Sequence, residues 1–158
     1  MSPCYNINSH VITQLVPIVK RVFEKYKDCD FVSPYGFYVN IDEIDFPELK
    51  LLREKYPNND NLLRFQVREK DHVGIHIDKN VPPCVVFPVR GCNEETETVW
   101  YDLIEGDAME DDYNIALIGD YKVKPIHTHA ITEPCILDPS VWHGVPSCKN
   151  RVIARWWT

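Results

Sequence analysis

Leu62-Leu63-Arg64-Phe65-Gln66-Val67-Arg68 is where the chain changes character. Ahead of it, apolar residues recur at helical spacing. From it onward, short extended runs alternate with polar turns. Glu69-Lys70-Asp71-His72 reads as the first such turn. Further strands are expected at Ile75 to Asp78, Cys84 to Val89, Thr96 to Leu103 and Tyr113 to Ile118. Gly119-Asp120 then makes a turn, and Tyr121 to Val123, Ile126 to Ile131, Cys135 to Leu137 and Arg151 to Trp157 complete the set.

Upstream, Thr13 to Tyr26 carries an apolar stripe at Leu15, Val16, Val19, Val22, Phe23 and Tyr26. Pro17 fits only in the first turn, so the helix is expected to start near Thr13. His10 is expected to be exposed ahead of it, and Phe31 to Ile41 to be extended, broken by Pro34 and Gly36. Asp45-Phe46-Pro47-Glu48 resembles a capping box opening a short helix to Tyr56. The expected architecture is one domain, with a helical segment over residues 1–61 and a β core over residues 62–158. Many short strands after helices predict a mainly β fold, a double-stranded β-helix (jelly roll) with the helices packed on one sheet.

At 158 residues the chain is long enough for one well-filled core. Its net charge of −7 and lack of any basic run argue against nucleic acid as the main partner. The acidic stretches Glu94 to Glu97 and Glu105 to Asp112 read as solvated loops, and the second lacks the ligand spacing of a calcium loop. None of the six cysteines forms a CxxC pair, which weakens any zinc-ribbon reading. The N-terminus has no basic and apolar leader, so a cytoplasmic protein with reduced thiols, mostly buried, is expected. No apolar run is long enough for a membrane helix.

Chemistry gathers at His76-Ile77-Asp78 and at His143. Side chains two apart on a strand share a face, so His76 and Asp78 point the same way. Early and late strands of a jelly roll pair, which brings His143 to them. Two imidazoles and one carboxylate with open positions suit a non-heme Fe(II) centre. The bland alternative is a strand histidine, a turn aspartate and an unrelated His143. Arg151 and Arg155 share one face of the last strand with Ile153 and Trp157. A guanidinium inside a barrel needs an anionic partner, and a dicarboxylate supplies one. His127-Thr128-His129 is a rival pair of imidazoles, with only Glu133 at matching parity, beyond a turn.

From Leu62 to Trp157 the chain resembles the Fe(II)/2-oxoglutarate-dependent oxygenases. The resemblance is to the small branch near the aspartyl/asparaginyl β-hydroxylases and prolyl hydroxylases, including short phage and marine microbial versions. It is carried by Leu63 to Val67, Gly74 to Asp78, Val85 to Asn93, Thr98 to Tyr101, and Trp142-His143-Gly144-Val145 with Arg151 following. It implies that His76, Asp78 and His143 ligate iron and that Arg151, with Arg155 as second choice, binds the far carboxylate of 2-oxoglutarate. The implied activity is hydroxylation of a small-molecule or peptidyl substrate with O2.

Trp100-Tyr101 is expected to place one ring in a substrate pocket, or else in the core. Trp156-Trp157 is expected to close the barrel, one ring buried and the other covering the helices. Two other functions fit the pattern. One is a cupin-like metalloenzyme using the same triad without 2-oxoglutarate; the other is a non-catalytic jelly-roll binding module.

Overall fold

The helical and extended patterns assemble into two antiparallel sheets, one of them covered by helices. The computed structural model describes residues 2–29, 36–68 and 71–158. Strand β1 (Cys4–Asn6) leads into α1 (His10–Thr13) and α2 (Val16–Tyr26), so the single helix expected from Thr13 is two. Pro17 is the cause: it has no N–H to continue α1, and it sits in the first turn of α2, where none is needed. His10, expected ahead of the helix, is the first residue of α1. Of the run expected from Phe31 to Ile41, residues 31–35 lie outside the described residues, and β2 (Gly36–Asn40) is the remainder. The capping box at Asp45 to Glu48 does not form. Phe46 takes the cap position without a side-chain bond, and a 3-10 turn at Pro47–Leu49 runs into α3 (Lys50–Lys55).

The remaining strands are β3 (Leu62–Val67), β4 (Val73–Asp78), β5 (Cys84–Arg90), β6 (Thr98–Glu110), β7 (Asn114–His129), β8 (Cys135–Leu137), β9 (His143–Val145) and β10 (Val152–Trp157). Glu69 and Lys70 of the expected turn lie outside the described residues. The main departure is β6 and β7. Most of the acidic stretch from Glu105 is the outer half of an antiparallel hairpin, not a loop. Glu105 opposes Lys122 and Asp102 opposes Lys124, so cross-strand charge pairing supports strands that bury little. The three strands expected between Tyr113 and Ile131 are one, and Gly119 (φ +63°) lies in an irregular stretch of β7 instead of closing a turn.

The larger sheet has the order β1-β8-β5-β10-β3-β2, and β4-β7-β6-β9 closes on itself as the second. Strand accounts for 46% of the chain against 18% helix, which makes it mainly β as expected. The N-terminal segment, expected to be helical, also supplies both edge strands of the larger sheet. Leu63, Phe65, Val85, Phe87, Ala154 and Trp156 form the face under the helices, against Val19, Val22, Phe23 and Leu52. The alternate residues Cys84, Val86 and Ile153 pack on the other side with Trp100 and Leu137. Of the terminal pair, Trp156 is both the buried ring and the one on the helical side, its Nε1 donating to the Tyr56 carbonyl at 2.6 Å. Trp157 lies under the Arg64 guanidinium, 3.6 Å from its ring centroid. No helix among the described residues is long and apolar enough to cross a membrane.

Trp156→Ala is expected to cost about 3–5 kcal/mol of unfolding free energy, the usual range for emptying a buried aromatic site. Ile104→Ala on the exposed ribbon should stay within about 0.5 kcal/mol. Urea midpoints of the two variants against the parent protein check the difference, and equal shifts would contradict this packing.

Candidate metal centre

Strand β4 presents His76 and Asp78 on one face, and β9 presents His143. The antiparallel pairing of β4 with β9 sets His76 directly opposite His143, with ring centroids 4.5 Å apart. Gly144 permits that approach: a Cβ there would stand 2.9 Å from the Val73 carbonyl oxygen. The three side chains offer ligand atoms within 4.8 Å of one another.

Backbone carbonyls set the tautomers. His76 Nδ1 lies 2.8 Å from the Gly74 oxygen and His143 Nδ1 lies 2.7 Å from the Val141 oxygen. A carbonyl only accepts, so each Nδ1 carries its hydrogen and each neutral ring keeps its lone pair on Nε2. His76 Nε2 is 3.0 Å from Asp78 Oδ1, while Asp78 Oδ2 accepts from Arg155 Nη1 at 3.0 Å. Two acceptors 3.0 Å apart repel unless a proton or a metal ion lies between them. The donor set therefore fits a divalent cation, with one carboxylate oxygen turned to it and the other held by Arg155.

The electrostatics agree. Burial opposes ionisation of Asp78, but the hydrogen bond from His76, made when a proton stands in the metal's place between Nε2 and Oδ1, and the Arg155 charge outweigh it and hold the carboxyl well below the usual range. Burial, then the neighbouring His76, push His143 down to about 4. A neutral imidazole beside an ionised carboxylate is the state a metal requires.

Arg151 and Arg155, expected as rivals for one role, have different surroundings. Arg155 is buried and paired with Asp78, so its charge is met within the protein. Arg151 is equally buried, and among the described residues it meets the Thr96 carbonyl (Nη1, 3.3 Å), Thr98 Oγ1 (Nη2, 3.1 Å) and the Cys92 thiol. Among the described residues no acidic side chain pairs with it. The turn that carries the Thr96 carbonyl is held by a capping box between Asn93 and Thr96. Gly91, at φ +65°, also lets the Asn150 carbonyl pass where a Cβ would meet it at 2.6 Å.

Both arginines and the triad line one cavity between the two sheets. Gln66 and Arg68 also line it and were missed by sequence reasoning. The available signal was parity: Leu63 and Phe65 are buried under the helices, so the polar residues between and beyond them face the other way. Trp100 and Tyr101 are not among the lining residues. Trp100 is fully buried behind the site, its ring 6.3 Å from that of His143 and 5.5 Å from that of His127. Tyr101 is half-buried. His127 and His129 share a strand face as expected, but lie apart from the triad.

Compared with models of protein families, with curated proteins and with solved structures, the chain matches none.

His143 makes the metal-free protein sensitive to acid. Its proton binds near 6.5 in the unfolded chain and near 4 in the folded one. Between those values the unfolded chain holds the extra proton, so stability falls as pH falls, by about 2 kcal/mol from pH 7 to pH 5. Asp78, with its depressed pKa, adds a loss of the same sign at lower pH. Denaturant titrations of the metal-free protein at both pH values check this. The drop should shrink by about that amount in His143→Gln; an unchanged drop would contradict the assignment.

Proposed function

We propose that the protein is an Fe(II)- and 2-oxoglutarate-dependent oxygenase that hydroxylates an amino-acid side chain or a small metabolite. On this reading the two antiparallel sheets are the halves of a double-stranded β-helix. The observation that carries the proposal is a pairing of needs in one cavity. At one place, two imidazole nitrogens and a carboxylate oxygen converge and call for a cation. At another, the buried Arg151 guanidinium lacks an acidic partner among the described residues and calls for an anion. A small molecule that chelates a metal at one end and carries a carboxylate at the other answers both, and 2-oxoglutarate is such a molecule.

Each residue then has a stated task. His76, Asp78 and His143 hold Fe(II) on one side and leave its other positions open. The Gly74 and Val141 carbonyls keep Nε2 of each histidine free for the metal. Arg155 keeps Asp78 ionised and orients it. Thr98 aims Arg151, whose forked donors match a carboxylate. Trp100 backs His143 and excludes water from that side. When bound, the iron with O2 supplies the oxidising chemistry: 2-oxoglutarate becomes succinate and CO2 as one oxygen atom enters the substrate. The net charge of −7 favours a small-molecule or peptidyl substrate over a nucleic acid.

Anaerobic titration with Fe(II) and 2-oxoglutarate should give the weak visible charge-transfer band of the chelate at one equivalent. Asp78→Ala should abolish it. Arg151→Ala should weaken 2-oxoglutarate binding roughly a hundredfold while leaving iron binding in place, as befits loss of a buried charged contact. Iron binding without the band, and no succinate in air, would favour a cupin-like metalloenzyme that does not use 2-oxoglutarate. No iron binding at all would leave a non-catalytic jelly-roll module.

A further inference from the structure

A second group of ligand atoms lies apart from the triad. Cys4 on β1, Cys135 on β8 and His129 at the end of β7 hold their donor atoms within 4.8 Å of one another. Strand β1 is remote in sequence from the consecutive strands β7 and β8, and it meets them there for a topological reason. β1 pairs with β8 so that Cys4 opposes Leu137 and Asn6 opposes Cys135, which makes the two cysteines diagonal neighbours on one face. His129 comes from the other sheet, where it opposes Thr98. Asn6 Oδ1 lies 2.9 Å from His129 Nε2, so one ring nitrogen is engaged and the other is left for a ligand.

The two sulfurs lie in the apolar core and the imidazole at its border. Both cysteines are fully buried, beside Val86, Ile131 and Leu137. Each packs as a small hydrophobe whose S–H is only a weak hydrogen-bond donor. Here the contacts polarise them. The Cys135 hydrogen bond, then His129, draw the Cys4 pKa down against burial, while Cys4 and burial push Cys135 up. His129 is in turn raised by its contact with Cys4. His127, whose ring centroid is 6.0 Å from that of His129, stands next in line as a further nitrogen donor.

We propose that Cys4, Cys135 and His129 form a second metal site, for a thiophilic divalent cation of the zinc class, which clamps strand β1 to both sheets. The donor sets keep the two sites distinct. Two sulfurs and a nitrogen select zinc-like ions, whereas two nitrogens and a carboxylate oxygen suit Fe(II). Strand β1 has only three residues and pairs with β8 alone, so an added link to β7 matters for its retention. The sequence hid the site because His129 and Cys135 lie across a turn from each other and their third partner, Cys4, is more than a hundred residues away. Its visible part, His127-Thr128-His129, lacks a carboxylate and finds its partners in cysteines instead.

Co(II) titration of the reduced, metal-free full chain tests this, with His76→Ala as background to disable the triad. One equivalent should produce an intense near-ultraviolet thiolate-to-Co(II) band, displaced by one equivalent of Zn(II). Cys135→Ser should abolish it. Because that variant removes a core residue, X-ray absorption of the zinc-loaded His76→Ala protein supplies an independent reading. Sulfur scatterers at about 2.3 Å are expected. A shell of nitrogen and oxygen alone, Co(II) binding without the thiolate band, or no metal bound in the His76→Ala background would overturn the proposal. So would a Cys4–Cys135 disulfide found by mass spectrometry of the protein purified without reductant.

Discussion

The ion pair between Asp78 and Arg155 joins the two sheets at their centre, since Asp78 belongs to β4 and Arg155 to β10. A buried pair of this kind adds little net stability, because desolvation of both charges offsets their attraction. What it supplies is register. With Arg155 committed to Oδ2, Asp78 can turn only Oδ1 toward His76, and β4 must lie where its carboxylate reaches β10. Together with the packing of Trp100 against Val86 and Ile153, that contact ties the second sheet to the first. Removing either partner would leave the other buried alone, at a cost of roughly 3–5 kcal/mol.

The centre itself was largely legible in the sequence. Alternation on a strand is a local rule, so placing His76 and Asp78 on one face needed only their spacing. Pairing early with late strands brought in His143, and β4 does pair with β9. The different surroundings of the two arginines were not legible. Arg151 and Arg155 have the same parity and the same residue type, and only the position of Asp78 in space tells them apart. The hairpin β6–β7 was misread for another reason. Its outer half is exposed, so the alternation that marks a buried strand is missing and acidic residues resemble a loop. Strand β1 is too short for any periodicity to show.

Trp100 occupies a particular place in this arrangement. It stands fully buried between His127 and His143, the two histidine clusters lying on either side of one indole. Packing of that ring is common ground for the cavity and for the thiol group near the N-terminus. Interiors are close-packed and transmit strain, so a change of volume at Trp100 reaches both.

Gly144 leaves β9 resting on β4 backbone against backbone, with no side chain between them at that level. The bite of the two histidines is thus ruled off by the width of a peptide unit. Residues under the helices can be exchanged for others of similar volume, and the fold gains or loses stability accordingly, while the gauge of the centre stays fixed. The gauge is cut into the main chain itself, and a side chain at position 144 is what would spoil it.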